Sequence, residues 1–165
     1  MRILGIDPGL ATVGWGVIDV ERGKPKVVSY GVILTPKEEK LPSRLKIIEE
    51  DVISIINKFK PNEIAIEELF FNSNVTTAIN VAQARGVILL TAVKACGGKL
   101  FEYTPLQIKQ ALTGYGRAEK RQIQEMTKTF LGLEKVPKPD DAADALAVAL
   151  THSQTSKMGN NFQIR

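Results

Sequence analysis

The sequence predicts an α/β protein in which a mixed sheet carries helices on both faces. Three strand patterns joined by short turns open the chain, and helical and strand patterns alternate after them. The last helical pattern is apolar but contains acid, and a polar tail follows it. We therefore expect one domain over residues 1–152 and a flexible C-terminal tail over residues 153–165.

The three opening strands form an antiparallel meander in this interpretation. Residues 2–7 are a short apolar run that ends in Asp7, and residues 14–19 and 27–33 are two further strand patterns. The turn signal Glu21-Arg22-Gly23-Lys24-Pro25 separates the last two and predicts a hairpin.

Helices and strands alternate in the rest of the chain. A helix is predicted to begin after Ser43 and to run to Phe59, with apolar residues along one face, and it returns the chain to a strand over residues 63–67 parallel to the first. The remaining predictions are a helix over residues 76–96, a strand over 99–103, and helices over 106–112, 118–130 and 140–152.

Composition excludes several classes of protein. With 44% hydrophobic and 24% charged residues in 165, the chain has the composition of a soluble globular protein. Its longest apolar stretch, residues 87–93, is shorter than a membrane span, so we expect no membrane association and a cytoplasmic location. A single cysteine excludes an internal disulfide, and the net charge of +4 favours nucleic acid only weakly.

Acidic residues follow apolar sequence in three separate segments. Asp7 ends the first strand, Glu67 and Glu68 end the strand over residues 63–67, and Asp140, Asp141 and Asp144 open the last helix. Carboxylates at the ends of buried strands are typical of the chemical sites of open α/β sheets. Hard oxygen ligands of this kind suit magnesium, so the pattern predicts a divalent-metal site.

Periodicity selects among these acids only in part. Asp141 and Asp144 share a face of a helix, whereas Asp140 points about 100° away from Asp141. Glu67 and Glu68 face opposite ways on a strand, and the alternation does not say which of them joins Asp7. No lysine or arginine stands immediately beside these acids in the sequence, so a bound cation is expected to relieve their repulsion.

Basic and aromatic residues suggest contacts to nucleic acid. Lys109 lies on the helix after Pro105, and Arg117, Lys120 and Arg121 are spaced to form one basic face at the start of the next helix. Phe70 and Phe71 follow the acidic strand; one aromatic is expected to stack on an unpaired base and the other to enter the core.

Arg85 and His152 lie outside these groups, and each has its own expected role. Arg85 is expected either to contact a phosphate or to support the site. His152 closes the last predicted helix, where it is expected to interact with the helix dipole.

Short motifs in a fixed order carry a resemblance to a known family. They are Ile3-Leu4-Gly5-Ile6-Asp7-Pro8-Gly9 with Gly14-Trp15-Gly16, Leu41-Pro42-Ser43-Arg44-Leu45, Ala65-Ile66-Glu67 with Phe70, Gln83-Ala84-Arg85-Gly86, Ala118-Glu119-Lys120, and Asp141-Ala142-Ala143-Asp144-Ala145-Leu146-Ala147. From Met1 to about His152 the chain resembles the RuvC family of bacterial Holliday junction resolvases. The order of elements is similar to the ribonuclease-H-like fold.

The resemblance implies a homodimeric, magnesium-dependent endonuclease that nicks two strands of like polarity in a four-way DNA junction. The acidic positions of the family fall on Asp7, Glu67, Asp141 and Asp144, which would hold two Mg²⁺, with Mn²⁺ as a substitute. Hydrolysis would leave a 5′-phosphate and a 3′-hydroxyl. Some members carry histidine at the position of Asp141.

The resemblance also implies contacts and partners. Lys109 and Lys120 match basic positions that the family uses for DNA, and Phe70 matches its aromatic position. A near two-fold junction suits two equivalent sites on a two-fold dimer. The apolar helix over residues 83–93 is a candidate interface, and packing on the protein's own sheet is the alternative. The branch-migration proteins RuvA and RuvB are the implied protein partners.

Two other functions are compatible with the same residues. A ribonuclease-H-like nuclease acting on RNA–DNA hybrids would use the same metal site. A junction-binding protein without catalysis would use the carboxylates only to hold a structural ion. Competition between substrates separates the first from the resolvase, and turnover in Mg²⁺ separates the second.

Overall fold

The structure, a computed structural model, describes residues 1–69, 75–97, 99–155 and 162–164. In chain order the elements are β1 (Arg2–Asp7), β2 (Thr12–Glu21), β3 (Lys24–Leu34), α1 (Leu41–Phe59), β4 (Glu63–Glu67), α2 (Val75–Cys96), β5 (Leu100–Tyr103), α3 (Pro105–Thr113), α4 (Lys120–Phe130) and α5 (Asp140–Thr155). The strands form one sheet in the order β3-β2-β1-β4-β5.

The predicted mixed sheet is confirmed. β1, β2 and β3 form an antiparallel meander, whereas β4 pairs with β1 in parallel and β5 pairs with β4 in parallel. The hairpin strands are longer than predicted, because pairing continues to Glu21 and Lys24 on either side of a two-residue turn. Arg22 and Gly23 have φ values of 50° and 79°, the positive values that a type I′ turn requires.

The sheet separates two apolar layers. Leu4 and Ile6 of β1 face the layer that contains α1 and α2, whereas Ile3 belongs to the layer formed by α3, α4 and α5. Because successive residues of a strand point to opposite faces, Gly5 and Asp7 lie on the same face as Ile3. The end of β1 therefore presents its carboxylate toward α5.

Helix α5 lies directly on β1 and β2 where these strands carry glycine. A Cβ at Gly5 would overlap the backbone carbonyl of Ala145, and a Cβ at Gly14 would overlap the backbone carbonyl of Asp141. A Cβ at Gly16 would stand 2.6 Å from a side-chain carbon of α5. The missing side chains let the helix approach the sheet at backbone distance, which sets the position of its acidic first turns.

Two helices begin two or more residues away from their predicted start. Helix α1 begins at Leu41 rather than after Ser43, and Pro42 stands in its first turn, where a missing N–H costs nothing. Helix α4 begins at Lys120 rather than at residue 118, because Glu119 caps it in a reciprocal pair of hydrogen bonds with Gln122. Arg117 therefore precedes the helix instead of lying on it.

The structure describes two parts of the C-terminal segment. Helix α5 continues to Thr155, and residues 162–164 lie along β5. The Ile164 N–H donates to the Leu100 carbonyl at 2.9 Å, and the ring of Phe162 lies 5.0 Å from that of Tyr103. These few residues cover an edge of the sheet that would otherwise expose unpaired backbone groups.

His152 is a buried structural residue, so the predicted interaction with the helix dipole is wrong. Its side chain is fully buried, and burial lowers its pKa against the opposing effect of Glu63. The neutral ring joins a hydrogen-bonded chain: its Nε2 lies 2.7 Å from Glu63 Oε2, and its Nδ1 lies 2.7 Å from the Tyr103 hydroxyl. A carboxylate oxygen only accepts, so Nε2 of the neutral ring carries the proton that Glu63 receives, and Nδ1 accepts from the Tyr103 hydroxyl.

Replacing His152 by alanine is expected to lower the free energy of unfolding by about 3 kcal/mol, because the change opens a cavity and leaves the Tyr103 hydroxyl without its acceptor. Urea-induced unfolding measures the effect. Gln154→Ala is the matched control, since Gln154 is exposed on the same helix and its loss should cost less than about 0.5 kcal/mol. Equal effects of the two changes would contradict the structural role of His152.

Candidate active site

Asp7 and Glu67 lie side by side at the carboxyl ends of two parallel strands. The β1–β4 register pairs Ile6 with Ile66, which places the two acids at the next positions of neighbouring strands. Ala65 belongs to the layer of α5, so Glu67, two residues later, faces the same side. The choice between Glu67 and Glu68 that the sequence left open is thus made by the sheet face.

Helix α5 supplies the other acids from above the sheet. Its close approach at Gly14 brings the start of the helix over the end of β1 and the start of β2. The charges of Asp141 and Asp144 both act on Asp7, and that of Asp144 also acts on Glu67. Asp140 instead pairs with Lys138, at 2.6 Å between Nζ and Oδ1.

Burial and mutual repulsion make Asp7, Glu67 and Asp144 reluctant to ionise. Burial, followed by the charges of Glu67, Asp144 and Asp141, raises the pKa of Asp7 to about 8. Burial and the charge of Asp144 raise the pKa of Glu67 to about 7. The pKa of Asp144 is raised too, again chiefly by burial, although Lys120 opposes the shift. A cation bound among these carboxylates would offset both the cost of their burial and their mutual repulsion.

A lysine reaches the acids, which the sequence did not predict. Lys120 Nζ lies 2.7 Å from Asp144 Oδ2. Burial alone would lower the pKa of Lys120, but the hydrogen bond and the charges of Asp144, Asp140 and Asp7 outweigh burial and raise it. No basic residue stands beside these acids in the sequence, but packing of α4 on α5 brings Lys120 to them from a distant part of the chain.

The donor chemistry of the site fits Mg²⁺. Asp7, Glu67, Asp141 and Asp144 offer only carboxylate oxygen, the ligand type that hard divalent ions prefer. Among the described residues, no three Asp, Glu, His or Cys side chains already stand in ligand positions. At Asp144 the ammonium group of Lys120 takes the place beside the carboxylate.

A cavity of about 200 Å³ adjoins the acids and contains two of the predicted DNA-binding lysines. Its lining includes Lys109 and Lys120 together with Glu67 and Asp144, and the remaining lining residues are Pro105, Ile108, Ile123 and Ala147. Both lysines therefore stand beside the acids, where a phosphate of the substrate would need neutralising.

The other predicted DNA-binding residues are more dispersed. Arg117 lies in a turn and Arg121 on α4, both exposed, so the single helical face predicted for them with Lys120 is wrong. Arg85 forms an ion pair with Glu102, with 2.6 Å between Nη2 and Oε2. Phe70 and Phe71 lie outside the described residues.

The raised pKa values predict how stability depends on pH in the metal-free protein. In the unfolded chain the two acids lose their protons near their ordinary pKa values of 3.8 and 4.5, whereas the folded protein retains them to about 8 at Asp7 and about 7 at Glu67. Folded protein thus binds more protons through this window, so these groups lower stability as pH rises from about 4 to about 8.

Urea unfolding in EDTA across that pH window measures this effect. The double variant Asp7→Asn, Glu67→Gln removes both titrating groups, so its unfolding free energy should fall less with rising pH than that of the wild type. Identical pH dependence in the two proteins would contradict the raised pKa values.

Fold and site together define a nuclease of the ribonuclease-H-like class. Acids at the ends of β1 and β4, acids on the terminal helix and an adjoining cavity that two lysines line are the parts that metal-assisted phosphodiester hydrolysis needs. The family model described as crossover junction endodeoxyribonuclease RuvC matches residues 3–152. The chain belongs to this RuvC family.

Individual relatives from this family are similar to this chain over nearly its full length. The crossover junction endodeoxyribonuclease RuvC of Alkaliphilus oremlandii is 54% identical over 165 residues, which cover 100% of both chains. That of Brevibacillus brevis is 58% identical over 154 residues, 93% of this chain and 92% of the relative. The structure of Thermus thermophilus RuvC in complex with Holliday junction substrate matches with a TM-score of 0.92 and 35% identity over 99% of each chain.

Proposed function

We propose that this chain resolves four-way DNA junctions by hydrolysing one phosphodiester bond in each of two strands of like polarity. The observation that supports it best is the assembly of Asp7, Glu67, Asp141 and Asp144 on a chain that matches the RuvC family over residues 3–152. Thermus thermophilus RuvC, a structural relative, has been captured with a Holliday junction.

The four acids would hold two Mg²⁺ ions, with Mn²⁺ as a substitute. When bound, such ions supply an activated water and neutralise charge on the leaving oxygen. The water oxygen forms the new bond to phosphorus, the bond from phosphorus to the 3′ oxygen breaks, and that oxygen takes up a proton. The products are a 5′-phosphate and a 3′-hydroxyl.

The basic residues position the DNA in this proposal. Lys109 and Lys120 line the cavity beside the acids, so they would contact phosphates near the bond that is cut. Arg117 and Arg121 are exposed and would contact phosphates farther along the arms. We assign Phe70 to stacking at the crossover, from the family motif. Arg85 is assigned to a phosphate contact, for which its side chain would have to leave Glu102.

A substrate comparison tests the proposed activity. A mobile four-way junction, a linear duplex of the same sequence and an RNA–DNA hybrid are each incubated with the protein in Mg²⁺. Preferential cleavage of the junction supports the proposal, and preferential cleavage of the hybrid would replace it with a ribonuclease-H-like activity. Tight junction binding without cleavage in Mg²⁺ or Mn²⁺ would indicate a non-catalytic binder.

We propose that the protein is a homodimer joined through an exposed apolar face of α2. Ile79, Leu90 and Val93 are 54%, 55% and 48% exposed, and the small residues Ala82 and Gly86 continue the same helical stripe between them. Nothing lies within 4 Å of a Cβ built at Gly86, so a second helix has room to approach there. The opposite face of α2 packs in the core.

Helix α2 also has the length and composition of a membrane-spanning helix over Ala78–Ala95. A second copy of the chain explains the exposed face of α2 better, because two-fold symmetry would also place two equivalent sites on the two-fold junction. We accordingly propose a cytoplasmic dimer.

Leu90→Glu is expected to convert the dimer into monomers, since it places a charge in the middle of the apolar face. Sedimentation equilibrium measures the change. Leu34→Glu is the control, because Leu34 is 65% exposed on β3, away from α2, and should leave the dimer intact. A wild-type monomer, or a dimer that survives Leu90→Glu, would contradict this interface.

The family resemblance further suggests RuvA and RuvB as partners. Assembly of RuvA and RuvB on a junction, followed by addition of this protein, tests the association by co-sedimentation. Binding no greater than to the junction alone would argue against it.

A further inference from the structure

Lys120 occupies a position that a metal ion would compete for. Its Nζ lies 2.7 Å from Asp144 Oδ2, and the charges of Asp7 and Asp140 also act on it. Among the described residues, Lys120 is the basic group in direct contact with the cluster formed by Asp7, Glu67, Asp141 and Asp144. Lys109 lines the same cavity without an ion pair in the part of the chain that the structure describes.

The ion pair with Asp144 holds the Lys120 side chain weakly enough for the ammonium group to leave. Its side chain is 56% exposed, and exposed ion pairs contribute little free energy. The cavity of about 200 Å³ beside it gives the ammonium group space to move. Its backbone is fixed at the first position of α4 by the Glu119 and Gln122 cap, so a displaced side chain stays near the site.

One ammonium group cannot balance the cluster. Asp7, Glu67, Asp141 and Asp144 would carry four negative charges when ionised, and Lys120 offers one positive charge to them. A divalent ion placed at Asp144 would bring more charge and would repel the lysine. The displaced ammonium would then be available to an anion entering the same cavity.

We infer that Lys120 is a displaceable placeholder, which occupies the cation position at Asp144 in the metal-free protein, gives it up to a divalent ion, and then binds a phosphate of the junction. This inference rests on the proposed metal site. It makes metal binding and DNA binding cooperative, because the metal frees a positive group that the DNA uses.

Calorimetric titration of the DNA-free protein with Mn²⁺ tests the competition. Lys120→Gln removes the competitor and should bind Mn²⁺ about fivefold more tightly than the wild type, as expected for loss of an exposed ion pair. Lys109→Gln removes the same charge from the same cavity and should change the affinity by less than about twofold. Lys120→Arg retains a competing charge and should stay near the wild type.

The outcomes separate this inference from the proposed function. Equal Mn²⁺ affinities in wild type, Lys120→Gln and Lys109→Gln would overturn the placeholder while leaving the metal site in place. Equal tightening by both glutamine changes would reduce the effect to general charge and would overturn it too. Absence of saturable Mn²⁺ binding in all variants would overturn the metal site and the inference together.

The salt dependence of junction binding tests the transfer of Lys120 to DNA. Ca²⁺ replaces EDTA in otherwise identical titrations of a junction at several salt concentrations. Each new phosphate contact steepens the dependence of log K on log salt by about 0.9, so wild-type protein should show a steeper slope in Ca²⁺ and Lys120→Gln should show little change. The same steepening in both proteins would overturn the transfer.

Discussion

Asp7→Asn is expected to lower the rate of junction cleavage by about 10³-fold or more, since metal-supported charge stabilisation is worth several kcal/mol and each 1.36 kcal/mol is a factor of ten. Asp7 is the acid on which the charges of Glu67, Asp141 and Asp144 all act. The amide keeps the shape of the side chain but removes the anionic ligand. Single-turnover cleavage of an end-labelled junction measures the rate.

The matched control for this change is Asp140→Asn. Asp140 lies on the same helix as Asp144 but pairs with Lys138, so its replacement should change the rate by less than about threefold. Binding of the junction should persist in Asp7→Asn, because the change removes negative charge from a surface that receives phosphates. A rate within tenfold of the wild type would show that Asp7 holds no essential ligand.

Gly14→Ala is expected to lower the cleavage rate by about 10²-fold and the free energy of unfolding by about 1–3 kcal/mol. A methyl group at this position would overlap the backbone carbonyl of Asp141, so the start of α5 must move away from β2. Moving the helix displaces Asp141 and Asp144 from Asp7 and Glu67. Rates and urea unfolding measured on one preparation test both effects.

Gly31→Ala is the control for the glycine substitution. Gly31 lies on the same hairpin, but a Cβ there would stand 3.0 Å from a side-chain carbon of Trp15 and not against backbone. A side chain adjusts more readily than a helix, so this variant should keep its cleavage rate. If Gly14→Ala cleaves as fast as Gly31→Ala, the close approach of α5 does not set the site.

Much of the fold follows from local patterns in the sequence. Strand alternation, the Arg22-Gly23 turn and the apolar helix faces all depend on residues within a few positions of one another, and the predicted mixed sheet is confirmed. The sequence also contains a signal that Glu67, and not Glu68, lies on the same face as Asp7. Gly5 and Ala65 are small residues of the same parity as Asp7 and Glu67, which indicates a close-packed face shared by these acids.

What the sequence did not predict are contacts between distant segments. Lys120 meets Asp144 across 24 residues, and His152 meets Glu63 across 89. Neither pair has a spacing that a helix or a strand would impose. Residues 162–164 pair with β5 for a similar reason, since a polar tail carries no periodicity to indicate the edge that it covers.

The products formed from a mobile four-way junction show whether this protein resolves junctions. Both strands of like polarity are end-labelled, the nicks are mapped after a single turnover in Mg²⁺, and DNA ligase is then added. We expect nicks at symmetric positions in the two strands, which ligase closes because each leaves a 5′-phosphate and a 3′-hydroxyl. Nicks at unrelated positions, ends that ligase cannot join, or cleavage that persists in Asp7→Asn would contradict the account.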